Sequence, residues 1–107
     1  MIIRSAILEG TVPEAERRSF DAHMRGAVLE AISTYPGIRQ VRLRKLLVAD
    51  EGTPPHYMIF DLYFDSLADM DAALASPIRH AVVSQIKQAM AMFQGRVYHQ
   101  LFEEASA

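Results

Sequence analysis

The chain has 107 residues, 50% of them hydrophobic, a formal net charge of -2 and no cysteine. This length predicts a single domain, residues 1–107, with one core. The charge gives no reason to expect nucleic acid or an anionic membrane surface as a partner, and the lack of cysteine excludes disulfides, thiol nucleophiles and thiolate metal sites. A charged residue, Arg4, interrupts the apolar N-terminus, and no apolar run approaches the roughly 18 residues of a membrane span. We therefore expect a cytoplasmic protein without a signal peptide or membrane segment.

The first quarter of the chain predicts a strand followed by a long helix. Residues 2–9 alternate well enough for a strand, and Thr11 and Glu14 have the spacing of a capping box that starts a helix. Apolar residues then recur at helical spacing to about Thr34, and Pro36-Gly37 is typical of a helix end. The apolar stripe consists of Phe20, Met24, Ala27, Val28, Ala31, Ile32 and Tyr35.

The middle of the chain predicts a hairpin. Residues 38–49 form the second predicted strand, and residues 50–55 contain the Gly and Pro of a connecting loop. Residues 56–64 are almost all aromatic or branched-apolar, which indicates a third strand covered on both sides. One row of this strand is wholly apolar and comprises Met58, Phe60, Leu62 and Phe64. The other row adds hydroxyls and a carboxylate and comprises Tyr57, Ile59, Asp61 and Tyr63.

The last part predicts a broken helix and a final strand. Ser66 with Asp69 has capping-box spacing, Ser76-Pro77 has the pattern of a helix restart, Gly95 ends the helix, and residues 96–102 form the strand. The order is β-α-β-β-α-β. It predicts an α+β, ferredoxin-like fold: a four-stranded antiparallel sheet with both helices on one face and strands one and three in the centre.

The sheet face away from the helices needs a cover, because its large apolar side chains would otherwise form a bigger patch than a monomer tolerates. The candidates are a second copy of the chain and a nucleic acid strand. The third strand lacks the glycine of the basic-Gly-aromatic signature of RNA-binding domains with this topology, and Asp61 lies in its middle. We therefore expect a homodimer and no nucleic acid. The residues assigned to this face are Ile2, Arg4, Leu8, Gln40, Arg42, Arg44, Leu46, Tyr57, Ile59, Asp61 and Tyr63.

Several short segments accompany this element order. Phe20-Asp21-Ala22-His23 lies in the first helix, and Tyr35-Pro36-Gly37 precedes strand two. Phe64-x-Ser66 and residues 73–77 (ALASP) lie at the start and at the end of the first part of the broken helix. Over nearly its whole length, the chain resembles the dimeric α/β-barrel superfamily and, within it, EthD-like proteins. EthD-like first helices often carry His followed closely by Pro, whereas Met24-Arg25-Gly26 follows His23 here.

The resemblance implies a function but leaves open whether the protein is an enzyme. The superfamily includes cofactor-free monooxygenases, polyketide cyclases, lactone isomerases and haem-degrading enzymes, alongside proteins without known activity. By resemblance, we expect a homodimer that binds a small hydrophobic, carbonyl-bearing molecule between sheet and helices, with cofactor-free proton transfer or oxygenation as its chemistry. The alternative is a non-catalytic dimeric binding or accessory protein. An enclosed pocket on which Arg and His converge would favour the first, and a filled cleft with satisfied salt bridges the second.

His23 is the candidate catalytic residue. It lies on the flank of the first helix's apolar stripe, and histidine titrates near neutral pH, so it could act as a general acid or base. The alternative is a histidine on a solvated helix edge. The other histidines, His56, His80 and His99, have no ligand spacing, and we expect neither a metal nor a cofactor.

The candidate binding residues belong to the face away from the helices. Arg42 and Arg44 could bind a carboxylate or enolate, with Asp61 as their counterion within salt-bridge distance. The alternative is a salt-bridge cluster between subunits. Tyr57 and Tyr63 could line the cavity or fill the core.

Overall fold

The computed structural model describes residues 1–105, and in that range it has the predicted element order. The strands are β1 (Ile2–Thr11), β2 (Gln40–Lys45), β3 (His56–Phe64) and β4 (Gln94–Glu103). The helices are α1 (Arg17–His23), α2 (Leu29–Ile32), α3 (Leu67–Leu74) and α4 (Ile78–Met90). A 3-10 turn, Glu14–Glu16, precedes α1, and a π-helical turn, Met24–Val28, joins α1 to α2.

The four strands of the described chain form one antiparallel sheet in the order β2-β3-β1-β4. The predicted ferredoxin-like sheet, with the first and third strands in the centre, is therefore confirmed. No helix within residues 1–105 combines the length and the apolar character needed to cross a membrane.

The register of β1 against β3 decides which side chains meet the helices. Arg4 lies opposite Leu62 and Leu8 opposite Met58, and directly opposed residues share a face. Leu62 and Met58 are buried in the core beneath the helices, so their β1 partners and Ile2 point there as well. The predicted placement of Ile2, Arg4 and Leu8 on the other face is wrong. Both rows of β1 contain isoleucine or leucine, so alternation could not distinguish them, and the pairing register does.

The register defines two sides of the sheet, here called the helix face and the open face. The helix face carries Ile2, Arg4, Ala6, Leu8, Val41, Leu43, Met58, Phe60, Leu62, Phe64, Val97, His99 and Leu101. The open face carries Ile3, Ser5, Ile7, Gln40, Arg42, Arg44, Ile59, Asp61, Tyr63, Tyr98, Gln100 and Phe102. The predicted open-face positions in β2 are thereby confirmed, together with Ile59, Asp61 and Tyr63.

Tyr57 departs from the predicted alternation because the register shifts between Leu8 and Glu9. This irregularity turns Tyr57 towards the helices, where its ring makes an edge contact with Phe20 at 5.6 Å and its hydroxyl reaches Asp21. The predicted open-face position of Tyr57 is wrong. A β-bulge inverts the parity of a strand, and nothing in the local pattern marks it.

The core stripe of the first helix is confirmed at five positions. Phe20, Met24, Val28, Ile32 and Tyr35 are all buried. The first four are spaced by four residues, which drifts away from the 3.6-residue period of an α-helix. The π-helical turn holds more residues per turn, so it offsets this drift and keeps the four side chains on one face.

Only one of the predicted helix caps forms. The Ser66 hydroxyl accepts a hydrogen bond from the Asp69 amide at 3.1 Å, as predicted. The capping box at Thr11 is wrong, because Thr11 still belongs to β1. The cap at Ser76 is also wrong, since the Ser76 hydroxyl instead donates to the Ala73 carbonyl at 2.6 Å.

Several strand ends differ from the prediction. β2 stops at Lys45, so Leu46 lies beyond it and Leu47 is 92% exposed in the connecting loop. β1 and β4 continue through Gly10 and Gly95, which lie opposite each other. A Cβ on either glycine would collide with the backbone of the other strand, so only glycine lets these strands remain paired here.

Candidate functional site

A cavity of about 310 Å³ lies between the helix face of the sheet and the helices. Most of its wall is apolar. β1, β3 and β4 supply its floor, and the π-helical turn, α2 and α4 supply most of its roof. The apolar lining comprises Ala6, Leu8, Met24, Ile32, Phe60, Leu62, Leu74, Val82, Val83, Ile86, Met90 and Val97.

Polar side chains enter the cavity from four separate elements. Arg4 comes from β1, Tyr35 from the segment after α2, Arg79 from the first turn of α4 and His99 from β4. Sheet pairing places His99 opposite Ala6, two residues along β1 from Arg4 and on the same face. The cavity therefore combines an apolar wall with a cluster of two guanidinium groups, a phenol and an imidazole.

The charges in this cluster act on one another. Desolvation, and then the neighbouring Arg79, lower the pKa of Arg4 from its usual range, and Tyr35 opposes this change. Desolvation, followed by the positive charges of Arg4 and Arg79, lowers the pKa of His99 from 6.5 to about 4. Solvent still reaches His99 from the edge of the sheet. At neutral pH its imidazole is uncharged and has one nitrogen free to accept a hydrogen bond or a proton.

Neither Arg4 nor Arg79 has an ion-pair partner among residues 1–105. The ion pairs of the described chain lie elsewhere and join Arg39 to Asp65, Arg44 to Asp61, Lys45 to Asp21 and Arg96 to Glu9. No aspartate or glutamate of the described residues lines the cavity, while Lys87 adds a further cation to its wall. The cavity is therefore positively charged, and residues 1–105 supply no counterion inside it.

The open face brings two of the predicted binding residues together. The Arg44 Nε donates to Asp61 Oδ2 at 2.8 Å, and the Ser5 hydroxyl donates to Asp61 Oδ1 at 2.6 Å. The predicted salt bridge of Asp61 with an arginine is confirmed. Arg42 lies opposite Asp61 in the register, but its guanidinium lies over the ring of Tyr63, 5.8 Å from the centroid.

Tyr57 and His23 lie apart from that cluster. The Tyr57 hydroxyl donates to Asp21 Oδ1 at 2.6 Å, and Asp21 also accepts from Lys45. Desolvation, the hydrogen bond to Asp21 and the Asp21 charge raise the pKa of Tyr57 to about 12. The His23 Nε2 is 2.8 Å from the carbonyl oxygen of Gln85. In the tautomer with the proton on Nε2, this N–H donates to Gln85 and links α1 to α4.

None of the six residues singled out from the sequence lines the cavity, and their binding and catalytic roles stay predictions. The cavity's own polar residues had different signals. The sequence pattern puts Arg4 on the wrong face and Tyr35 in the core stripe, and the last strand alternates too poorly to assign His99 to a face. Arg79 carried no signal except its place in a predicted helix. Within residues 1–105, no three His, Asp or Glu side chains are grouped so that they could hold a metal ion.

Solved structures with the same fold were found, although no protein-family model and no curated protein matches the chain. An EthD family protein from Bacillus halodurans is 19% identical with a TM-score of 0.73, over 98% of this chain and 100% of that one. A dimeric protein of unknown function and ferredoxin-like fold from Bacteroides fragilis is 14% identical with a TM-score of 0.70, over 96% and 95%. An antibiotic biosynthesis monooxygenase is 13% identical with a TM-score of 0.65, over 99% and 100%.

At these identities the likeness is one of fold. It extends over the whole of each chain, so the entire domain, including the helices that roof the cavity, has the architecture of these proteins. The protein is an α+β, ferredoxin-like domain, and the fold expected from the resemblance is confirmed.

Proposed function

We propose that the protein is a homodimer that binds a small hydrophobic, carbonyl-bearing molecule in the cavity between sheet and helices. The observation that carries this proposal is the cavity itself, about 310 Å³ and largely apolar, with Arg4, Arg79 and His99 converging on it. Ligand sites are typically concave and apolar with a few convergent polar groups. The fold neighbours include a protein described as an antibiotic biosynthesis monooxygenase, and this name supports an enzymatic use of the fold.

The chemistry that these residues would support is removal of a proton next to the carbonyl group. His99 is uncharged at neutral pH and would take the proton, while Arg4 and Arg79 would stabilise the negative charge that develops on the enolate oxygen. Such an enolate is also the electron-rich species that cofactor-free oxygenation with O₂ would require. Return of the proton from the His99 imidazolium to a different carbon, one conjugated with the enolate, would complete an isomerisation.

One observation favours the alternative of a non-catalytic binding protein. A pKa of about 4 makes His99 a weak base, whereas general bases work best with a pKa near the operating pH. A bound enolate between the arginines would raise the pKa of His99, because it would offset the two positive charges that help to lower it.

The dimer is proposed to form through the open face. Ile3, Ile59 and Tyr63 are only partly buried there, and Phe102 is 48% exposed. A second copy would cover these side chains, and the Arg44–Asp61 pair would then belong to the interface. The dimeric state of the Bacteroides fragilis protein supports this arrangement.

Binding in the cavity can be tested with 2-acetylnaphthalene, a neutral fluorescent ketone. The variant Val82→Phe adds volume inside the cavity, whereas Ala81→Phe adds the same ring on the exposed side of α4. Val82→Phe should weaken binding at least 10-fold, and Ala81→Phe should leave it unchanged. Equal binding to both variants would place the ligand elsewhere.

Catalysis can be tested with the same ketone in D₂O. Its methyl protons should exchange faster in the presence of the protein, and His99→Asn should abolish this acceleration while keeping the affinity. Binding without any exchange would establish the non-catalytic alternative.

A further inference from the structure

The charge of the cavity restricts the chemical class of the ligand more than the shape of the cavity does. Arg4, Arg79 and Lys87 line it, and no acidic side chain of residues 1–105 does. Guanidinium groups stay protonated in proteins, so the two arginines remain cationic even where desolvation disfavours the charge. An apolar cavity that holds like charges without a counterion is unfavourable until something anionic enters it.

The arginines contrast with Arg44, on the other side of the same sheet. Arg44 is satisfied by Asp61, whereas no ion pair of the described chain includes Arg4 or Arg79. The two unpaired guanidiniums come from different elements, β1 and α4, and yet are close enough to affect each other electrostatically. Such a pair offers planar donor groups of the kind that bind a carboxylate bidentately.

We propose that the cavity binds a carboxylate attached to a small apolar body, with the carboxylate on Arg4 and Arg79 and the apolar part against Leu8, Phe60 and Val82. This inference rests on the proposed ligand site and adds the ionic class of the ligand. A carboxylate is favoured over a phosphate ester because it carries one charge rather than nearly two. Each additional charge on the ligand raises the cost of desolvation when the ligand enters a cavity with an apolar wall. His99, uncharged at neutral pH, completes the head-group site as a hydrogen-bond partner.

The test compares three fluorescent probes with the same ring system at pH 7 and low salt. These are 2-naphthoate, the neutral ketone 2-acetylnaphthalene and 2-naphthyl phosphate. Naphthoate should bind about 10- to 100-fold more tightly than the ketone, which is the range expected for charge-assisted hydrogen bonds to a carboxylate. It should also bind more tightly than the phosphate.

The arginines are tested by Arg4→Met and Arg79→Met, with the exposed Arg18→Met as the matched control. Each cavity variant should lose most of the preference for naphthoate over the ketone, because its affinity for naphthoate should fall much more than its affinity for the ketone. Arg18→Met should change neither. Both cavity variants should also raise the Tm of the unliganded protein, because an apolar side chain replaces an unpaired cation. A lower Tm would indicate a structural role for the arginines.

The possible outcomes separate this inference from the proposed function. If the ketone binds as tightly as naphthoate, and Arg4→Met changes nothing, the carboxylate inference is overturned and the cavity remains a site for neutral molecules. If the phosphate binds most tightly, the assigned ionic class is wrong. If none of the three probes binds, both this inference and the proposed function fail.

Discussion

On the open face of the sheet, the buried carboxylate of Asp61 accepts hydrogen bonds from Ser5 at 2.6 Å and from Arg44 at 2.8 Å. On the helix face, Arg4 and Arg79 converge on an apolar cavity without an ion-pair partner in the described chain. The open face thus carries a carboxylate with its partners in the same chain, whereas the cavity on the helix face contains arginines without an acidic partner among residues 1–105. A satisfied cluster supports the fold or an interface, whereas an unsatisfied one retains its binding capacity for a ligand. The two faces should therefore respond oppositely to the removal of an arginine.

The largest expected effect is on the open face, from Ile59→Asp. If that face is the dimer interface, a carboxylate at position 59 would have to share Arg44, its cross-strand neighbour, with Asp61. One carboxylate charge would then be left uncompensated in the interface, which should cost about 3 kcal/mol. Sedimentation at micromolar concentration should give the wild type about twice the chain mass of 12.0 kDa and the variant a monomer or unfolded chain. Ile59→Val should stay dimeric. A monomeric wild type would contradict the interface.

Arg44→Met tests the satisfied cluster and should have the next largest effect. It leaves the Asp61 side chain, 8% exposed, with Ser5 as its remaining partner, and should lower the free energy of unfolding by about 2 kcal/mol. Chemical denaturation measures this loss. Arg42→Met is the matched control, since Arg42 contacts the Tyr63 ring and forms no ion pair in the described chain, and it should cost clearly less. Equal losses would show that the ion pair contributes nothing.

Tyr57→Phe tests the hydrogen bond to Asp21 beside the cavity's roof and should cost about 1 kcal/mol. The pKa of the Tyr57 phenol is raised to about 12 in the folded protein, so the unfolded chain releases this proton first as pH rises above 10. The stabilisation from Tyr57 is therefore complete below pH 10 and declines as pH rises towards 12. Tyr63→Phe is the control, and an identical loss of stability there would exclude a specific role for the Asp21 bond.

The smallest expected effect concerns His99. Its pKa of about 4 in the folded protein lies below the ordinary 6.5, so between pH 6.5 and pH 4 the unfolded chain binds the proton first. Stability should fall as pH drops through this window, by about 1 kcal/mol at most, because solvent reaches the imidazole and screens the charges. Urea titrations of the wild type and His99→Asn at several pH values would isolate this contribution. An unchanged pH dependence in the variant would show that His99 titrates normally.

Much of the fold was determined by local sequence patterns. The apolar run from His56 to Phe64, the stripe through Phe20 and Met24, and the cap at Ser66 each reflect an interaction between near neighbours in the chain. The element order then leaves few topologies, and the sheet order β2-β3-β1-β4 followed from it. The contact of Asp61 with Arg44 was predictable for the same reason, because a hairpin fixes the register between consecutive strands.

Only the tertiary structure decided which residues face the cavity. The face of Arg4 depends on its pairing with Leu62, 58 positions further along the chain (62 − 4), and the face of Tyr57 depends on a bulge in the same strand pairing. His99 lies in a strand with little alternation, and Arg79 reaches the site through the packing of α4 on the sheet. Local patterns report what each segment buries, but a one-residue change of register exchanges the two faces of a strand. The open-face ion pair could therefore be predicted from two consecutive strands. The residues that line the cavity could not, because they depend on strand pairing between distant parts of the chain.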